Sequence, residues 1–128
     1  MHGIPELMQQ NKRIERLCSA VEDGDLSVVP GLCTEWRVHE RLDHDYTYRC
    51  LPREVSGRAV FIARAQTDQR LISRLIRQVS GHPTDQYASR SGLLVRLIRQ
   101  HVLAEEMHVL PLLMFDPLSV ASSSTEST

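Results

Sequence analysis

The 128-residue sequence has very little lysine, few aromatic residues and no long apolar run. Lys12 is the only lysine, the other basic residues are scattered arginines, and the formal net charge is −1. This balance argues against a protein that binds nucleic acid or a membrane surface through bulk charge. No apolar stretch approaches the roughly 20 residues of a membrane-spanning helix. The opening "MHGIPELMQQNKRIERL" also lacks the charge order of a signal peptide. We therefore expect a cytoplasmic protein with no nucleic-acid or membrane partner.

Cysteine is scarce as well. The chain has an odd number of cysteines, three, and no two of them form a Cys-x-x-Cys pair: they are Cys18, Cys33 and Cys50. This pattern indicates free thiols in a reducing compartment rather than a disulfide framework.

The chain also lacks a strand pattern, since no part alternates convincingly between apolar and polar residues. Four segments instead repeat apolar residues at helical spacing, at about 5–23, 27–50, 58–80 and 86–115. Gly24, Pro52 and the "SGHPTD" turn separate them. Four amphipathic helices with short connections predict an all-α, antiparallel up-down-up-down four-helix bundle over residues 1–115. The polar stretch 116–128, "DPLSVASSSTEST", is predicted to be a disordered tail.

An internal sequence similarity, here called the internal echo, relates the two halves of this predicted bundle. When "NKRIERLCSAV" (11–21) is set over "QRLISRLIRQV" (69–79), the apolar positions coincide and Asn11 lies over Gln69. When "HERLDH" (39–44) is set over "HVLAEE" (101–106), both contain a histidine followed four residues later by a carboxylate. The second and fourth helices therefore each carry a histidine and an acid within an apolar stripe.

These two pairs, His39 with Asp43 and His101 with Glu105, are the candidate metal ligands. Residues four apart lie on the same face of a helix, so both pairs point where the apolar stripe points. A buried carboxylate without a partner is costly. Bundles hold metal ions in their cores with such side chains from facing helices. Imidazole nitrogen and carboxylate oxygen suit iron, manganese or zinc.

The same residues also allow an interpretation without metal. A single inward histidine can be a hydrogen-bonded core residue, Glu105 and Glu106 can form an exposed pair, and "DHD" (43–45) can be surface. The polar residues at matched depth would then form a self-satisfied hydrogen-bond network. Its members would be Asn11, His39, Asp43, Gln69, His101 and Glu105.

Three stretches resemble the hemerythrin-like, His-His-Glu cation-binding family over about residues 4–115. "IPELMQQNKRIERLCSAVEDGD", "LCTEWRVHERLDHDYTY" and "LLVRLIRQHVLAEEMHVLPLL" resemble its first, second and fourth helices. The last is the most specific, because His-x-x-x-Glu-Glu leads into an apolar ending with proline. The resemblance implies an antiparallel four-helix bundle with a non-haem di-iron centre. It also implies a role in oxygen binding, in iron or oxygen sensing, or in iron storage or repair.

The resemblance assigns His39 and Asp43 to the second-helix ligand pair, with Asp where Glu is usual, and His101 and Glu105 to the fourth-helix pair. Asn11 and Gln69 stand where the family has histidines on its first and third helices. We therefore expect a hemerythrin-like iron protein with an incomplete ligand set. It would hold one or two ions or none, bind dioxygen or sense oxygen or iron, and not be an enzyme. The alternative is a degenerate, metal-free member that acts as a structural or protein-interaction module.

Overall fold

The computed structural model describes residues 3–53, 56–81 and 84–114. Within these ranges the chain is all-helical and contains no β-strand. The predicted disordered tail, 116–128, lies outside the described residues. Among the described helices, none combines the length and apolar character needed to cross a bilayer.

Four long α-helices and two short ones make up the described part of the fold. In chain order they are α1 (Ile4–Glu22), α2 (Val29–Leu42), α3 (Tyr48–Cys50), α4 (Arg58–Val79), α5 (Tyr87–His108) and α6 (Leu110–Met114). Helix α1 packs against α2 and α5, and α4 packs against α5. The prediction of an all-α protein with four principal helices is therefore confirmed.

The end of α1 shows why the predicted breaks fall where they do. Gly24 adopts a positive φ of 96°, a conformation that suits glycine because it has no Cβ. The Gly24 N–H donates to the Val21 carbonyl and the Asp25 N–H donates to the Ala20 carbonyl, both at 3.0 Å. These two bonds form a Schellman motif, which satisfies carbonyls at the helix end.

Two of the predicted segments are interrupted. In segment 27–50, a 3₁₀ turn (Leu26–Val28) precedes α2, and a π-helical turn (Asp43–Thr47) separates α2 from α3. In segment 86–115, the helix breaks at Val109 between α5 and α6. The second break precedes Pro111, whose ring and missing N–H disfavour a helix that continues through it. The π turn has no comparable signal in the local composition.

The buried side chains form two apolar clusters with polar residues between them. The larger cluster includes Trp36, Ile72 and Ile98, and the smaller includes Leu7, Leu42 and Val109. Along α2, His39 lies between residues of the larger cluster and residues of the smaller one, and His101 lies in the same way along α5. The polar residues therefore form a layer within the core rather than a cap at its end.

The three cysteines are free, as predicted. Cys18 and Cys33 are buried and Cys50 is exposed. Burial raises the pKa of the Cys18 thiol to about 11, which keeps this thiol protonated and unreactive.

Candidate metal centre

The four side chains proposed as ligands meet in the polar layer. His39 lies on α2, Asp43 begins the π-helical turn, and His101 and Glu105 lie on α5. Each offers one donor atom, and these four atoms all lie within 4.8 Å of one another. All four residues are buried, and the most accessible, Glu105, is 5% exposed.

Nitrogen and oxygen donors alternate in this group. His39 Nε2 lies 2.7 Å from Glu105 Oε1 and 3.2 Å from Asp43 Oδ2. His101 Nε2 lies 3.0 Å from Asp43 Oδ2 and 3.3 Å from Glu105 Oε1. Donors that surround one tetrahedral ion at about 2.1 Å lie about 3.4 Å from each other. The four nitrogen–oxygen distances are therefore close to those between neighbouring ligands of one ion of that size.

The carboxylates of the group favour the charged form of both histidines, and the histidines favour the charged form of Asp43. Burial opposes a charge on His39, but Asp43 and Glu105 outweigh this effect and raise its pKa to about 9. Burial likewise opposes a charge on His101, but hydrogen bonds to Asp43, Asp68 and Glu105 raise its pKa to about 12. Burial alone would raise the pKa of Asp43, but the two histidines hold it well below its usual range. Without metal, these shifts favour the positively charged form of both imidazoles at neutral pH, and a bound ion would have to displace one proton from each.

Asp68 on α4 is an outer partner that the sequence pattern did not identify. Its Oδ2 lies 3.1 Å from His101 Nδ1, the nitrogen that faces away from the group of donors. A carboxylate in this position fixes the orientation of a metal-binding histidine and increases its basicity. The only indication of this residue in the sequence was its position next to Gln69, the polar residue that aligns with Asn11 when the two halves of the chain are compared.

Tyr48 is a second partner that the sequence pattern did not identify. Its hydroxyl donates to Asp43 Oδ2 at 3.0 Å and to Glu105 Oε2 at 3.2 Å. Its backbone N–H bonds to the Asp43 carbonyl, the hydrogen bond that defines the π-helical turn. In a regular α-helix, residues five apart do not face the same side. The π turn therefore brings the Tyr48 side chain onto Asp43, where it links the two carboxylates.

Trp36 covers both histidines from the side of the larger apolar cluster. Its ring stacks on His39 with centroids 5.3 Å apart and planes at 19°, and it meets His101 edge-on at 5.0 Å. Trp36 is fully buried. It therefore serves core packing and also forms one wall of the site.

Asn11 and Gln69 do not belong to the group of four donors. Asn11 is buried, but its Nδ2 donates to Glu106 Oε1 at 3.2 Å rather than to a candidate ligand. Gln69 is half-buried, and its Nε2 has no hydrogen-bond partner among the described residues. The structure therefore does not join all six residues of the predicted metal-free network.

The hydrogen bonds among the described residues also leave two polar atoms of the group unsatisfied. Asp43 Oδ1 and His39 Nδ1 are both buried, and neither has a partner there. A buried polar atom without a partner costs about 1–3 kcal/mol. Such atoms call for a specific explanation in a well-packed core, and an additional bound group is one.

A small cavity reaches the site from the side of α4 and α5. Its volume is about 40 Å³, and its walls include Tyr48, Phe61, Asp68, His101 and Glu105. A cavity of about 10–15 Å³ suffices for one water molecule. This space therefore admits a molecule of one or two heavy atoms beside the donors.

The remaining histidines of the described chain lie outside the group. His44 is exposed and contacts the neighbouring Asp45. His108 follows Glu105 at the Glu-x-x-His spacing of di-iron carboxylate bundles. However, it is exposed and its ring stacks near Phe61, with centroids 6.4 Å apart. His108 is therefore peripheral to the group of donors.

Comparison with family models, with curated proteins and with solved structures finds no match for this chain.

Proposed function

We propose that this protein is a hemerythrin-like, non-haem iron-binding bundle that holds one iron ion between α2 and α5. The ligands would be His39, Asp43, His101 and Glu105. The observation that supports this most directly is the convergence of these four buried donor atoms within 4.8 Å. Two imidazole nitrogens and two carboxylate oxygens suit non-haem iron as donors, and the adjacent cavity leaves room for a further ligand.

The outer contacts support the same proposal. Asp68 lies at His101 Nδ1, where metal sites commonly have a carboxylate that orients the histidine ligand. Tyr48 bonds to one oxygen of each carboxylate, Asp43 Oδ2 and Glu105 Oε2. A site with supported ligands differs from a chance meeting of polar side chains, because the outer groups hold the donors in place before an ion arrives.

Within this proposal the helices follow the up-down-up-down order of hemerythrin-like bundles, and the protein binds or senses a small ligand rather than turning over a substrate. The cavity of about 40 Å³ beside His101 and Glu105 suits dioxygen in size. The amides at Asn11 and Gln69 replace two histidines of the family pattern, which is why we propose one ion rather than two. Only one Glu-x-x-His spacing involves a group member, and its His108 is exposed, which disfavours a carboxylate-bridged oxidase.

A metal-free structural or interaction module is the second candidate function. It is favoured by the contacts that the four side chains make with one another, since His39 and His101 each lie within 3.3 Å of both carboxylates. The unsatisfied Asp43 Oδ1 and His39 Nδ1 count against it.

Elemental analysis after anaerobic loading with Fe(II) and removal of free metal separates the two candidates. We expect about one iron per chain, by the count of four donors for one ion. Loading should improve from pH 6 to pH 8, because iron competes with protons for both histidines. A change in the optical spectrum when air is admitted would support the binding of dioxygen. No iron above background in the wild-type protein would contradict the proposal and favour the metal-free module.

Two histidine variants make a matched pair for this experiment. His101→Ala should abolish iron binding because it removes a ligand, whereas His108→Ala should bind iron like the wild type because His108 is exposed on the same helix. Equal iron retention by both variants would contradict the proposed ligand set.

A further inference from the structure

A second polar feature, separate from the candidate metal centre, lies on the surface of α4. It is a groove of about 600 Å³. One wall is a single face of α4, and the other includes Glu40 of α2. The α4 residues that line it are Gln66, Gln69, Arg70, Ser73, Arg74 and Arg77.

The lining of this groove is rich in hydrogen-bond donors. Arg70, Arg74 and Arg77 recur four and three residues apart, so their side chains leave the same face of the helix. The Nε2 of Gln69 is buried and has no hydrogen-bond partner among the described residues. Ser73 adds a hydroxyl. A concave surface lined by three guanidinium groups and a hydroxyl suits an acceptor-rich ligand.

The charge on these arginines is not neutralised by the fold. Elsewhere, Arg13 pairs with Glu35, and Arg99 pairs with Glu15 and Glu22. Among the described residues, no ion pair involves Arg70, Arg74 or Arg77, and Arg70 contacts only the Thr67 hydroxyl. Helix α4 carries five arginines against one aspartate, in a chain with a net charge of −1. The positive charge is therefore concentrated on this helix.

The single acid of the groove does not cancel this charge. Glu40 lies on the opposite wall and has no described ion pair with the arginines. An anion in the groove would meet three guanidinium groups and one acid.

We propose that this groove binds a small polyanion that carries two or more phosphate or carboxylate groups. Guanidinium groups bind both kinds of oxyanion in a bidentate manner. Arg70 and Arg77 are seven residues apart, which places their backbones about 10 Å apart along the helix. This length matches a small molecule with separated anionic groups. A long nucleic acid would need a more extended basic surface than a chain with one lysine and a net negative charge provides.

The test uses the full, metal-free chain, so its outcome does not depend on iron binding. Calorimetric titration with inorganic pyrophosphate and, separately, with citrate at about 0.15 M salt would measure the affinity. The groove variant is R70Q/R74Q/R77Q. The control is R16Q/R41Q/R96Q, which removes the same charge from exposed positions outside the groove.

We expect one of these anions to bind, the groove variant to lose at least about tenfold in affinity, and the control to stay within about twofold. Preference for pyrophosphate or for citrate would identify phosphate or carboxylate as the ligand class, and either supports the proposal. Failure of both anions to bind would overturn it. An equal loss in both variants would also overturn it, because binding would then reflect overall charge. Tighter binding to duplex DNA, increasing with its length, would overturn it in favour of a nucleic-acid surface.

Discussion

The two histidines at the centre of the bundle are held in different ways. His101 has a carboxylate at each ring nitrogen, Asp43 at Nε2 and Asp68 at Nδ1. His39 has carboxylates at Nε2 alone, and its buried Nδ1 has no partner among the described residues. The His39 ring instead lies flat against Trp36.

This difference follows from what the neighbouring helices supply. Helix α4 places Asp68 opposite His101, whereas Asn11, a buried polar residue of α1, bonds to Glu106 instead of His39. A hydrogen bond to Nδ1 fixes both the ring orientation and the nitrogen that carries the proton. Stacking fixes only the ring plane. The orientation of His101 therefore depends on a charge, and that of His39 depends on the packing of the core.

Replacing Trp36 should have the largest effect on this arrangement. Trp36→Ala would remove a fully buried indole and should lower the free energy of unfolding by about 3–5 kcal/mol. Trp36→Phe should lose less, because an aromatic ring would still cover His39. Urea unfolding of the metal-free protein, followed by circular dichroism, would measure both. A loss below about 1 kcal/mol for Trp36→Ala would show that packing does not hold this side of the site.

The pH dependence of stability should distinguish the two histidines. Both have raised pKa values, about 9 for His39 and about 12 for His101. Their contribution to the stability of the metal-free protein is therefore complete below the unfolded-state pKa of about 6.5 and is lost as the pH rises through each folded value. The His39 contribution should be lost first, between about pH 6.5 and pH 9.

The lowered pKa of Asp43 acts in the opposite direction. Its contribution is present above the unfolded-state value of about 3.9 and is lost as the pH falls below it. Stability of the metal-free protein should therefore be greatest between about pH 4 and pH 6.5. The measurement is urea unfolding at a series of pH values. An increase in stability from pH 7 to pH 9 would contradict the assignment of charged imidazoles.

Removing the outer carboxylate should weaken metal binding without removing a ligand. We expect Asp68→Ala to reduce iron affinity by about 10–100-fold, because His101 would lose the group that orients it. Competition with a chromophoric chelator would measure the affinity. Asp85→Ala, at an exposed position in the turn before α5, is the matched control and should leave the affinity unchanged. Unchanged affinity in Asp68→Ala would mean that His101 needs no outer support.

The hydroxyl that links the two carboxylates should have the smallest effect. Tyr48→Phe keeps the ring but removes the bonds to Asp43 and Glu105, and should destabilise the metal-free protein by about 1 kcal/mol. Tyr87→Phe is the control at a half-buried tyrosine and should change stability by less than about 0.5 kcal/mol. The same urea experiment would measure both, and equal changes would argue against a specific role for the Tyr48 hydroxyl.

The sequence was sufficient to predict the positions of the long helices and the four candidate ligands. The helices follow from apolar periodicity and from local breaks such as Gly24, which closes a Schellman motif. The ligands follow from two histidine–acid pairs at a spacing of four residues, which a helix places on one face. Both kinds of prediction depend on residues within one or two helical turns, so they needed no knowledge of the neighbouring helices.

The partners of those ligands could not be predicted in this way. Tyr48 reaches Asp43 because the chain forms a π-helical turn at Asp43–Thr47, and Arg58 then bonds to the Tyr48 carbonyl from the start of α4. Gln69 was selected by the internal echo, yet the side chain that reaches His101 is that of its neighbour Asp68. Which of these two adjacent side chains reaches His101 depends on how α4 is rotated and offset against α5, which the apolar pattern does not specify to within one residue.

The sequence alone therefore determined the four long helices and the four candidate ligands, because these depend on local spacing. The tertiary structure alone decided the outer contacts: that Asp68 supports His101, that Trp36 supports His39, and that Asn11 bonds elsewhere. Those contacts depend on how the helices are rotated and offset against one another. The rotation and offset of the helices are set by the packing of the whole core and by the π-helical turn. Neither of these can be predicted from the sequence of a single helix.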